Sequence, residues 1–135
     1  MHTLNPTEIQ ALLEALDDEY KSWATYQQVI DDFGPIRPFI NIVEAEQRHM
    51  NALLQLCHQY GVEAPVNPWI GKTPRYTSEK HACIEAVKGE IENAALYDRV
   101  LKSTERADIL EVYRALQSAS IDRHLPAFQR CTERG

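Results

Sequence analysis

Apolar residues recur at intervals of three and four in four stretches of the chain, the spacing of one buried helix face. The first stripe is Ile9, Leu12, Leu13, Leu16, Glu19, Trp23, Tyr26, Ile30 and Phe33. It predicts a helix that opens at Asn5-Pro6-Thr7-Glu8 and ends at Gly34-Pro35. The second, Phe39, Ile42, Val43, Glu46, His49, Met50, Leu53 and Leu56, predicts a helix that stops at Tyr60-Gly61. A third helix should run from Ser78 to about Ser103, with Cys83, Val87, Glu90, Ala94, Tyr97 and Leu101 facing inward. After a turn at Thr104-Glu105-Arg106 a fourth carries Leu110, Tyr113, Gln117, Ser120/Ile121, His124, Ala127/Phe128 and Cys131. Pro126 lies inside that helix, where its missing N–H predicts a bend just beyond His124.

The breaks between stripes set the topology. The Gly34–Pro38 connection is short, so the first two helices should be antiparallel neighbours. Residues 61–77, GVEAPVNPWIGKTPRYT, hold three prolines and two glycines and follow neither period. At up to about 3.3 Å per residue this stretch is long enough to run the length of a bundle. The expected fold is all-α: a single four-helix-bundle domain over residues 1–135 with a long crossover between the second and third helices. Cys57 tests that topology, because a crossover puts it at the opposite end of the bundle from Cys83 and Cys131.

Three acids and two imidazoles interrupt the apolar stripes: Glu19, Glu46, His49, Glu90 and His124. Glu46 and His49 are three apart and share one helix face. A lone buried carboxylate costs several kcal/mol unless a cation meets it. Counted from the Gly34 turn, Glu19 lies 15 residues before and Glu46 12 residues after, so antiparallel helices bring them to one level. Glu90 and His124 flank the second turn comparably, and Glu19-x-x-Ser22-x-x-x-Tyr26 is echoed by Glu90-x-x-Asn93-x-x-x-Tyr97. All four helices thus offer polar groups to one layer.

One Glu from each of two helices plus Glu-x-x-His from each of the other two is the donor set of a di-metal carboxylate site in a helix bundle. Here the second pair reads Ile121-x-x-His124, one carboxylate short. Glu19, Glu46 and His49 would hold one ion and Glu46, Glu90 and His124 the other, with Glu46 bridging. Three carboxylates against two divalent cations leave one position weaker, or filled with the help of an added anion. Carboxylate and imidazole ligands suit iron or manganese, with zinc as a further occupant.

Composition narrows the partners. The formal charge of −6, with no cluster of Lys or Arg, argues against nucleic acid and anionic membranes. No apolar run approaches a membrane span, and the start MHTLNPTEIQ has no signal-peptide pattern, so a cytoplasmic location is expected. Glu44, Glu85 and Glu92 lie off the inner stripes and should be solvated, as should His58 and His81. Cys83 lies seven residues before Glu90 and Cys131 seven after His124, so antiparallel helices place them at one end. They can form a disulfide or a redox pair, with buried reduced thiols the expected state in a cytoplasm.

The residues AEQRH in the second helix, EIENAALYDRVL in the third and ASIDRHLPAFQRC in the fourth carry a resemblance. The chain resembles the ferritin-like superfamily on its rubrerythrin side and, more closely, a bacterial ferritin-like family of unknown function. The resemblance covers essentially the whole chain. It implies a ferritin-like bundle and a carboxylate-bridged di-iron site that oxidises ferrous iron, reduces peroxide or activates dioxygen. By motif position the ligands are Glu19, Glu46, His49, Glu90 and His124, with no catalytic residue beyond them. No rubredoxin-like cysteine module accompanies them. Tyr26, Tyr97 and Ser120 stand as candidates to support the ligands, the two tyrosines chiefly by packing with a hydrogen bond. The competing expectation is a degenerate bundle with one metal or none, serving as a dimerisation or partner-binding module.

Overall fold

The computed structural model describes residues 3–134. Helix α1 spans Pro6–Phe33, α2 Phe39–Tyr60, α3 Glu79–Val100 and α4 Ala107–Ala119; a π-turn, Ser120–His124, continues α4 into α5, Leu125–Arg134. The third helix thus ends three residues before Ser103. Asn5 opens α1 with a reciprocal cap: its side chain accepts from the Glu8 N–H at 2.8 Å while Glu8 accepts from the Asn5 N–H at 2.9 Å. Ser78 caps α3 by accepting from the His81 N–H. Gly61 ends α2 at φ 67°, a left-handed conformation that an L side chain adopts only with strain.

The four helical rods form a four-helix bundle whose apolar interior divides into two clusters. One joins the start of α1 (Leu12, Leu16), the end of α2 (Leu53, Leu56, Cys57), the end of α3 (Leu96, Val100) and the start of α4 (Ile109, Tyr113). The other joins the opposite ends: Tyr26 and Val29, Phe39 and Ile42, Cys83 and Ala86, and Phe128 and Cys131 of α5. Helices α2 and α3 therefore run in the same direction, and Cys57 sits at the far end from Cys83 and Cys131. Between the clusters lies the layer that contains the acids and imidazoles. Each large apolar side chain buried in them contributes on the order of 2 kcal/mol, which offsets the cost of the polar layer.

The crossover makes this topology. From Gly61 it runs along α1: the Tyr20 hydroxyl donates to the Pro65 carbonyl at 2.7 Å, the Asn67 amide to the Tyr20 carbonyl, and the Trp69 indole to Asp17. Further along, the Arg75 guanidinium pairs with Asp32. The α3–α4 turn is tied to the start of α1, where Glu8 accepts from the Thr104 hydroxyl and from Arg106. Among the described residues no helix is long and apolar enough to cross a membrane.

Candidate metal centre

The polar layer is built from residues that the helical period turns inward at mid-bundle. Glu19 comes from α1, Glu46 and His49 from α2, Glu90 from α3 and His124 from the π-turn, and all five are buried. They form two groups that share Glu46: Glu19, Glu46 and His49 in one, Glu46, Glu90 and His124 in the other. Within each, one donor atom per residue lies within 4.8 Å of the others. His49 Nδ1 is 3.1 Å from Glu19 Oε1 and 3.8 Å from Glu46 Oε2. His124 Nδ1 is 3.2 Å from Glu46 Oε1 and 3.3 Å from Glu90 Oε1. The two oxygens of Glu46 thus face different histidines, whose rings stack with centroids 5.4 Å apart.

A shell of neutral donors holds the outer carboxylates, and it is crossed between the two halves of the chain. Tyr97 of α3 donates to Glu19 of α1 at 2.8 Å, while Tyr26 of α1 donates to Glu90 of α3. Asn93 also donates to Glu19, at 2.8 Å, and Ser120 donates to Glu90 Oε1 at 2.7 Å. Glu46 has no comparable support: its buried Oε2 makes no hydrogen bond among the described residues. Leaving such an atom unpaired is costly, so this oxygen is where a cation fits.

Electrostatics separates the acids. Burial pushes the Glu46 carboxyl well above the usual carboxylate range, and the neighbouring Glu19 and Glu90 push it further in the same direction. Burial also opposes ionisation of Glu19, but hydrogen bonding to His49 and to the Glu46 carboxyl, the His49 charge and the Asn93 amide outweigh it and hold Glu19 at about 2. Burial and the neighbouring acids therefore disfavour the charged form of Glu46, whereas the partners of Glu19 favour its carboxylate. Both tyrosines are pushed well above 10, first by burial and then by the carboxylates they face, which keeps them as donors.

The irregularity expected near Pro126 takes the form of a wider turn in the fourth helix. It is the π-turn at Ser120–His124, closed by the Leu125 N–H bonding back to the Ser120 carbonyl and separated from Pro126 by that one residue. A proline at 126 has no N–H for the α-helical bond to Asp122 and its ring crowds that carbonyl. The wider turn relieves both constraints. An i→i+5 turn also aligns residues four apart more closely than an α-helix does, so Ser120 and His124 face the layer together. Ser120 is 1% exposed, whereas Ile121 is 45% exposed. This corrects the expectation that Ile121 occupies the missing carboxylate's position; Ser120 does.

Cys83 and Cys131 are joined as a disulfide, correcting the expectation of reduced thiols. Their Cα atoms, 5.9 Å apart, lie at the spacing a disulfide requires. Of the residues expected to be solvated, Glu44, Glu92 and His58 are exposed; Glu85 pairs with Lys88, and His81 is half-buried beside Thr77. Asp18, which also accepts from Asn93 at 2.6 Å, escaped the sequence reading because the periodic stripe assigns only Glu19 to the inner face. Desolvation pushes Asp18 up to about 6, and the Glu19 and Glu90 charges add to that against the Asn93 hydrogen bond.

Comparison with known proteins places the fold and leaves the chemistry to the site. The profile of an uncharacterized protein domain, DUF2202, matches residues 8–73, which comprise most of α1, all of α2 and much of the crossover. The structure is similar to that of a hypothetical protein from Methanococcus jannaschii, with a TM-score of 0.88 and 24% identity, over 99% of this chain and 84% of that one. It is also similar to a conserved hypothetical protein from Mycobacterium tuberculosis, with a TM-score of 0.81 and 18% identity, over 94% of this chain and 91% of that one. At these identities the likeness is one of fold. No curated protein matches the chain.

Proposed function

We propose that this chain is a ferritin-like di-metal carboxylate protein, with iron as the preferred metal, that reacts with dioxygen or peroxide as a ferroxidase or peroxidase. The observation that carries this reading is Glu46: one buried carboxylate directs an oxygen toward each histidine, and one of those oxygens has no hydrogen-bond partner among the described residues. A purely structural core polar group would be satisfied by its neighbours. Glu19, Glu46 and His49 would hold one ion, and Glu46, Glu90 and His124 the second. Carboxylate and imidazole donors together suit iron and manganese, and a pair of ferrous ions would supply the electrons that reduce dioxygen or peroxide.

The chain's own residues do the rest. Tyr97 and Asn93 orient Glu19, and Tyr26 and Ser120 orient Glu90, leaving each carboxylate oxygen direction set before a cation arrives. Glu46 would bind a cation as the carboxylate, whose ionisation burial opposes, so metal uptake should depend on pH. The apolar clusters on both sides exclude water along the bundle axis.

The test is metal per chain after anaerobic loading with Fe(II) and desalting, followed by oxygen and peroxide kinetics. Two ions per chain with ferrous oxidation support the reading, and none retained overturns it. A second reading rests on Ser120, a neutral residue where a fourth carboxylate would complete charge balance: a degenerate bundle with one metal or none that serves as a partner-binding module. One ion per chain and no ferrous oxidation would favour it.

A further inference from the structure

On the side of the histidines away from the carboxylates, α2 and α4 stand apart and leave an open cleft of about 650 Å³. Small side chains, Ala45 on α2 and Ala115 and Ala119 on α4, keep it open, and His49 and His124 form part of its wall. Both rings turn Nδ1 to the carboxylates. Nε2 of neither ring makes a hydrogen bond among the described residues, and both rings border the open cleft rather than closed core. An imidazole that serves as a metal ligand ordinarily donates its other N–H to a carboxylate, carbonyl or water, which fixes the ring and raises its basicity. Here the protein supplies no such acceptor.

The charge of the cleft says what could. Arg48 on α2 and Arg123 on the π-turn line it, and neither forms an ion pair among the described residues. Asp122 is the single acid in the lining. Two cations against one anion, in a chain of formal charge −6, make a local reversal of sign. The volume lies in the range of small-molecule sites, and a guanidinium matches the planar, two-oxygen shape of a carboxylate.

We propose that this cleft binds a small organic carboxylate, whose oxygens accept the outer N–H of His49 and His124 and meet the guanidinium groups of Arg48 and Arg123. The histidine half of this inference rests on the metal reading above. A ring that gives its Nδ1 lone pair to a cation carries its proton on Nε2, facing the cleft.

The test is calorimetric titration of succinate into Mn(II)-loaded and metal-free protein, with succinamide and inorganic phosphate as comparison probes. Saturable succinate binding is expected, with succinamide inert and phosphate weaker. The double variant R48A/R123A, whose helical content is checked first, should weaken succinate by about tenfold or more. No succinate binding to the loaded protein, or binding unchanged in the double variant, overturns the proposal. Phosphate binding as tight as succinate overturns the carboxylate assignment. Failure of the metal reading shows separately, as no Mn(II) retained per chain before any succinate is added.

Discussion

Tyr97 on α3 donates its hydroxyl to Glu19 on α1 at 2.8 Å, the mirror of Tyr26 on α1 donating to Glu90 on α3. The exchange follows from antiparallel packing, since a residue seven beyond the acid on one helix lies beside the acid of the other. Tyr97→Phe removes one charge-assisted bond from a buried carboxylate that keeps Asn93 and His49. We expect about 1–2 kcal/mol lost from metal-free stability and roughly tenfold weaker metal binding. Denaturant unfolding and a competition titration with a metal chelator measure the two, and unchanged metal affinity would remove Tyr97 from the site's support.

Glu46 should behave differently from the other acids. Burial and the neighbouring Glu19 and Glu90 oppose its ionisation, so Glu46→Gln removes a charge that the metal-free layer disfavours. The metal-free variant should match wild type to within about 1 kcal/mol at neutral pH, while metal per chain collapses. A variant that keeps full stoichiometry would exclude Glu46 as a bridge.

The π-turn makes opposite predictions for adjacent residues. Ile121→Glu puts a carboxylate in solvent and should leave metal stoichiometry and melting temperature nearly unchanged. Ser120→Glu puts a fourth carboxylate in the layer, where it should destabilise the metal-free protein by several kcal/mol and recover on metal loading. Differential scanning fluorimetry with EDTA and with Mn(II) separates them; a Mn(II) response at position 121 greater than at 120 would contradict the π-turn register.

Asp18 gives a pH dependence with a definite sign. Its pKa is raised to about 6 in the folded chain, from 3.8, chiefly by desolvation, so the folded state holds its proton more tightly than the unfolded state. The resulting stability is fully present below about pH 3.8 and is lost as pH rises to about 6, on the order of 2 kcal/mol once its partial exposure is allowed for. Asp18→Asn should therefore gain on metal-free wild type as pH rises through this window. Unfolding curves at a series of pH values check it, and parallel wild-type and variant curves would refute the assignment.

The disulfide joins residues 48 apart in sequence, tying α5 to α3. By loop-closure entropy alone its removal should cost about 4 kcal/mol. Cys131→Ser should lower the melting temperature of the oxidised protein, and reducing agent should lower that of wild type but leave the variant unmoved. A wild-type melting temperature insensitive to reductant would mean that the bond contributes nothing to stability.

The four helices, the crossover and the layer of interrupting acids and imidazoles are legible in the residue pattern, because they depend on local period and breaker residues. Glu19, Glu46 and Glu90 were legible as residues out of place on apolar stripes, and the prolines of the 61–77 segment as a connection that no helix could continue. Only the tertiary structure decided that Ser120 rather than Ile121 faces the layer. A proline says that an α-helical bond is missing, but whether the backbone bends or widens by one residue depends on what packs against it, here Glu90 and His124. The Asp18–Asn93–Glu19 contact and the cleft that both histidines line lay equally outside the pattern, because they arise from the spacing between helices, which no periodicity within a helix records. The same holds for the disulfide: the positions of Cys83 and Cys131 at one end could be counted, but their 5.9 Å separation is a property of how α3 and α5 pack.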